Sequence, residues 1–421
     1  MSLSFRPLRN LSLLYDQKPP SLTMLIREKV ITALERKREQ FLRFRNEQRY
    51  QGEQVAGKLD AFLAHNRAAI LEKLALADIE WPGALPTAEI DRADRLCISF
   101  GQTWQSHDAA RAWAQPILQD APVAAVDGSQ IMPTKDIALP LGAVQIGWFV
   151  NYHESGGRYE KDVSFEVLAP NELGDEADDL ESGFPDWRVN QQRFVGECEQ
   201  LCVLMERLAA DQPSRQPLCF FDGSLVISFA GQLRPGRAAP YLQAVQQMLD
   251  TSQQLRVPLV GFVDSSMSRD LVTLLNHVVG PPHLSLSDGA LLHRLLPAWG
   301  DRSPIFQCAR LDILTQQQRA PFYKEIAFCY MRLTADRPPA RIDLPFWMVE
   351  EGCAEEALDL VRAECIVGAG YPYAIETADA TAVIQQADRE RFLALVQQFA
   401  EREGLAFGQT RKLASKLTRR G

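Results

Sequence analysis

Two stretches of the sequence bring a carboxylate to the end of an apolar run and follow it at once with Gly and Ser. They are VAAVDGSQ, from Val123 to Gln130, and CFFDGSLV, from Cys219 to Val226. An apolar run of this kind reads as a buried strand, and ligands in open sheets gather at the carboxyl ends of strands. If the two strands are neighbours, Asp127 and Asp222 converge. Two close carboxylates repel, and the repulsion is relieved by a proton or by a divalent cation. Hard ions such as Mg²⁺ and Mn²⁺ take oxygen ligands of this type. Phosphoryl chemistry asks for a third or fourth acid. Glu206 is the first candidate: it lies in CVLMERL, on the helix before the second strand, and borders the apolar group Val203, Leu204 and Met205. Glu166 in VSFEVL competes with it. Asp379, in GYPYAIETADATAVI, follows a turn built by Gly370, Tyr371, Pro372 and Tyr373.

The elements that must position these residues can be read from periodicity. Residues 22 to about 76 carry a helical pattern, one face of which is basic (Arg36, Lys37, Arg38, Arg43, Arg45, Arg49). Pro82 and Pro86 break it, and a short helix is expected over 105–117. From 122 to 265 the order is strand, strand, strand, helix, strand, helix, strand. The helices are WRVNQQRFVGECEQLCVLMERLAAD and YLQAVQQMLDTSQQL, and the last strand is PLVGFVDSS. Such an order implies an α/β fold, a mixed sheet flanked by helices, with an N-terminal helical extension. The expected organisation is a helical region over 1–118, a catalytic domain over 119–405 and a basic tail over 406–421. The acidic segment ELGDEADDLESGFPD reads as a surface loop.

The 421 residues are 46% hydrophobic and 24% charged, enough to bury a sizeable core, and the net charge of −9 argues against a protein that coats nucleic acid indiscriminately. The eight cysteines form no CxxC pair, and several sit in apolar runs as small hydrophobes. No stretch reaches the roughly 18 to 20 apolar residues of a membrane span, so a cytoplasmic protein is expected.

Taken in order, VAAVDGSQ, CFFDGSLV, PLVGFVDSS, LSLSDGALL, FYKEIAFCYMRL and GAGYPYAIETADATAVI resemble the motifs of the NurA nucleases over roughly residues 120–400. The resemblance implies an RNase H-like fold and a Mn²⁺- or Mg²⁺-dependent 5′-to-3′ DNA exonuclease, often with single-strand endonuclease activity. It also implies a homodimer that docks on a HerA-like hexameric ATPase and serves DNA end resection and double-strand break repair. Carried over motif by motif, the family's metal-binding acids fall on Asp127, Glu206 and Asp222, and its late Tyr on Tyr371. Archaeal members have a His eight residues further on, where this chain has Asp379, a possible fourth ligand. Many members have a Lys in the motif that reads VGFVDSS here, where Asp264 or its neighbour takes the place; Lys324, Arg332 and Arg269 are the candidate replacements. These departures frame the rival reading, a catalytically weak docking or regulatory subunit of a HerA-type ATPase. A metal-dependent phosphohydrolase of small substrates is the third.

Overall fold

The structure, a computed structural model, describes residues 27–134, 137, 139–174 and 186–405. The basic tail from 406 onward and most of the acidic loop lie outside the described residues. The chain divides into two compact units, Met1–Gly57 and Lys58–Gly421. In the first, the helical expectation holds from residue 27 onward as Arg27–Arg36 and the start of Arg38–Leu63. No residue of Arg27–Arg36 is buried, and the basic side chains there are solvated.

The second unit is built on one nine-stranded sheet. Its strands are β1 (Gly83–Pro86), β2 (Val123–Ile131), β3 (Gly142–Asn151), β4 (Tyr159–Leu168), β5 (Leu218–Asp222), β6 (Leu259–Val263), β7 (Phe306–Ala309), β8 (Ile326–Met331) and β9 (Ala340–Pro345). They lie in the order β1-β7-β8-β9-β6-β5-β2-β3-β4. The strands β2, β3 and β4 form an antiparallel meander, whereas β5 runs parallel to both β2 and β6. Each parallel step crosses over through a helix, Asp186–Ala210 before β5 and Pro235–Leu255 before β6. This is the mixed sheet flanked by helices that the order of elements implies. The strands β5 and β6 are short and almost wholly apolar because they lie in the middle of the sheet, covered on both faces.

The region before residue 119 is not purely helical. The segment around Pro82 and Pro86 contributes β1, paired antiparallel with β7 at the sheet's edge, where a strand tolerates proline. The helix expected over 105–117 is His107–Leu118, capped by the Ser106 side chain. It joins Ala354–Val367 and Tyr373–Ala382 over one face of the sheet, where Val123 and Ala125 of β2 and Phe220 of β5 enter the same core.

A buried ionic network ties β9 to the loops at the carboxyl ends of β5 and β6. Arg341 bonds Asp343 at 2.7 Å and Asp270 at 2.6 Å, and Arg310 forks onto Asp270 at 2.8 and 2.6 Å. Asp288 accepts the Leu271 and Val272 backbone N–H groups and the Tyr330 hydroxyl. Asp343 accepts the Ser224 hydroxyl at 2.6 Å and the Leu225 N–H at 3.1 Å, so the second Asp-Gly-Ser loop is pinned to a strand more than a hundred residues away.

Candidate active site

The register of the sheet brings the two Asp-Gly-Ser motifs together. Val126 of β2 pairs with Phe221 of β5, so Asp127 and Asp222 follow side by side on adjacent parallel strands. Asp127 continues the row of Val123 and Ala125 toward the face that carries the helix Tyr373–Ala382. That helix packs closely: a Cβ on Gly147 of β3 would stand 2.7 Å from the Ala382 nitrogen, and the Gln145 side chain donates to the Ala382 carbonyl at 2.9 Å. Just past the helix, the Ile384 N–H donates to the Ser129 hydroxyl at 3.3 Å. The first motif's serine therefore anchors the element that delivers Asp379.

Asp379 stands beside Asp127, close enough for the two carboxyls to interact. Burial pushes Asp127 up to about 6, helped by the neighbouring Asp379 carboxyl and by the charge of Asp222. Burial also raises Asp222, with the Asp379 charge adding to it, while the Tyr371 hydroxyl donates to its Oδ1 at 2.9 Å and opposes the rise. Burial and then the Asp222 charge raise the Tyr371 phenol. Four sequence candidates, Asp127, Asp222, Asp379 and Tyr371, thus meet at one rim of the sheet.

Glu206 is not among them. It is exposed, nine residues beyond the helix position that faces the rim. Nine residues make about two and a half helical turns, which puts it on the opposite side of the helix. The acid in its place is Glu197, buried in the same row as Leu201, Leu204 and Leu208. Burial pushes Glu197 up to about 7, and the charges of Asp127 and Asp222 add to the shift. Arg193, one turn earlier, pairs with Glu197 and also reaches the Gly128 carbonyl at 3.4 Å. The two motif glycines serve different ends. A Cβ on Gly128 would meet Glu197 Oε1 at 2.5 Å and Arg193 Cγ at 2.7 Å, so Gly128 makes room for the helix acid. Gly223 instead adopts φ +150°, a backbone angle that favours glycine.

Glu166 is exposed on β4 and accepts from the Gln192 side chain at 3.0 Å, apart from the rim. Asp264 ends β6 and pairs with Arg337 at 3.1 Å. None of the cations considered as replacements for the family's Lys supplies a bond to the cluster: Arg332 donates to three backbone carbonyls, Lys324 sits over the Trp81 ring, and no contact to the acids is seen for Arg269. The cation beside the acids is Arg193.

The donor set suits a hard divalent ion, being four carboxyls from four elements, three of them raised by burial and then by one another's charge. Among the described residues no three His, Cys, Asp or Glu side chains already surround one point. Burial already favours a proton on Asp127, and binding a cation would release it.

The NurA domain model matches residues 121–384. The chain belongs to the NurA family of nucleases. The matched span opens just before β2 and closes just after the helix that carries Asp379, so it contains every acid of the rim. Among solved structures, a NurA with manganese is 9% identical, with a TM-score of 0.40, over 66% of this chain and 89% of that one. A NurA bound to dAMP and manganese is 9% identical with a TM-score of 0.40, over 66% and 88%. The catalytic domain of human endonuclease V is 14% identical with a TM-score of 0.31, over 69% and 94%. Among functionally curated proteins nothing matches.

Proposed function

We propose that the protein is a divalent-metal-dependent deoxyribonuclease, acting as a 5′-to-3′ exonuclease with single-strand endonuclease activity. The observation that carries this reading is the convergence of Asp127, Asp222 and Asp379 at one rim, with the Glu197–Arg193 pair of the neighbouring helix beside them. Membership of the NurA family supports it, as does manganese in solved NurA structures.

Mn²⁺, or Mg²⁺, would be held by Asp127, Asp222 and Asp379, with Glu197 closing the site from the helix side. When bound it would supply Lewis acidity at the scissile phosphate and lower the pKa of water. The protein's own groups do the rest. Tyr371 keeps its proton and donates it to the Asp222 carboxylate at 2.9 Å, which holds that carboxylate in place. Arg193 offsets part of the acidic charge and orients Glu197. The Asp343 network fixes the loop after Asp222, so that this carboxylate is positioned before any ligand arrives.

In the cell we place this activity in DNA end resection and double-strand break repair, by a homodimer docked on a HerA-like hexameric ATPase. The test is degradation of end-labelled linear DNA with Mn²⁺. The wild type should progressively shorten a 3′-labelled strand and release a 5′ label at once as a short product, and Asp222→Ala should be inactive while eluting and melting as a folded protein. Wild-type-rate cleavage by Asp222→Ala would contradict the site. No cleavage by the wild type with Mn²⁺ or Mg²⁺ would favour the docking-subunit reading.

A further inference from the structure

Beside the acidic rim lies a cavity of about 740 Å³ whose wall includes Trp104, Trp299, Leu333, Arg337 and Tyr371. Its volume is that of a small-ligand site. Tyr371 is common to both places: it lines the cavity, and its hydroxyl donates to Asp222. Arg337, also on the wall, is 64% exposed and pairs with Asp264 at the end of β6, next to β5.

The aromatic wall is preorganised. Trp299 donates its indole N–H to the Leu333 carbonyl at 2.8 Å, which fixes the ring. Trp104 packs against Trp299 with centroids 5.1 Å apart, and Trp113 and Phe100 brace Trp104 at 5.4 and 5.9 Å. Trp104 and Trp299 both remain partly exposed. Rigid, half-exposed indoles next to a cation form a stacking platform, a feature of proteins that hold single-stranded nucleic acid. Phe100, Trp104 and Trp113 precede the family-matched span of 121–384, so most of this platform lies outside it.

We propose that this cavity is a base-stacking subsite for a single DNA strand, with Trp104 and Trp299 receiving a base and Arg337 an adjoining phosphate. The inference rests on the nuclease reading, because Tyr371 links the subsite to Asp222. A strand seated here has its backbone led toward the acids, which fits an enzyme that works from an end.

The test is equilibrium binding of a fluorescent oligothymidylate to the full chain in EDTA, where nothing is cleaved. Trp104→Ala should weaken binding about tenfold, the effect of losing one stacked base. Trp104→Phe should restore most of it. On the wild type, an oligonucleotide of the same length with abasic sites in place of its bases should lose a similar factor, an arm that needs no variant to fold. Equal affinity of the wild type for the abasic and normal strands, or an unchanged affinity in a folded Trp104→Ala, would overturn the proposal. Cleavage by the wild type with Mn²⁺ is scored separately. Its absence would sink the nuclease reading, whereas intact cleavage with base-independent binding would sink the subsite alone.

Discussion

Two groups of acids sit at neighbouring strand ends, one buried and one opening to solvent, and they are balanced differently. In the network around β9, Asp270, Asp288 and Asp343 share two guanidiniums, Arg310 and Arg341, and most polar atoms are paired. Burial alone would raise Asp270, but Arg310 and Arg341 more than offset it and hold it below the ordinary aspartate range. The remaining excess acid is Asp288, pushed up to about 7 by burial and by Asp270, so one proton completes the balance. At the rim, among the described residues, Arg193 is the cation paired with the group, through Glu197, and Asp127, Asp222 and Glu197 are raised. The compensated group holds loops in place. The uncompensated one keeps a charge deficit that a divalent cation can fill.

That contrast can be broken from either side. The largest expected effect is on stability, at the compensated group. Arg341→Ala strips a buried guanidinium from two aspartates and should cost about 3–5 kcal/mol. Urea unfolding would show it as a lowered midpoint; an unchanged midpoint would mean that the network contributes nothing to folding. A neutral substitution at the rim should have the opposite signature, so Asp127→Asn should melt no lower than wild type.

The helix acids sharpen the site itself. Glu197→Gln should reduce Mn²⁺-dependent cleavage by about ten- to a hundredfold, the range for groups that support a metal site. Glu206→Gln should leave the rate unchanged. Equal rates for the two variants would remove Glu197 from the account.

A smaller effect follows from the raised acids. Asp127 at about 6 and Glu197 at about 7 lie above their unfolded values. Their contribution to stability is full below about pH 4 and is lost as pH rises through 6 and 7. Metal binding must displace these protons, so Mn²⁺ affinity should rise over the same interval. Melting curves at pH 5 and pH 8 would read both: Mn²⁺ should raise the melting temperature strongly at pH 8 and little at pH 5. Equal Mn²⁺ stabilisation at the two values would count against the raised acids as ligands.

Much of this was legible in the sequence, and the gaps have physical causes. The two Asp-Gly-Ser strands announced the rim because a buried parallel strand is a continuous apolar run, and Asp379 was visible in the turn that launches its helix. Glu197 was legible too, at helical spacing from Leu201, Leu204 and Leu208, but Glu206 drew attention through its immediate apolar neighbours rather than its face of the helix. The strand β1 was hidden because four residues ending in proline carry no periodicity. In β9, Arg341 and Asp343 are both buried, and their partners come from distant segments that no local pattern connects. The tryptophan platform was invisible for the same reason, since Trp104 and Trp299 lie far apart in the chain.

The most direct test is a Mn²⁺ titration followed by the electron paramagnetic resonance signal of the free ion at pH 8. The wild type should deplete that signal at stoichiometric protein, and Asp127→Asn and Asp222→Asn should leave it nearly intact while remaining folded. Depletion of the signal by both variants at wild-type affinity would show that the acids at the ends of β2 and β5 hold no cation, and would contradict the account.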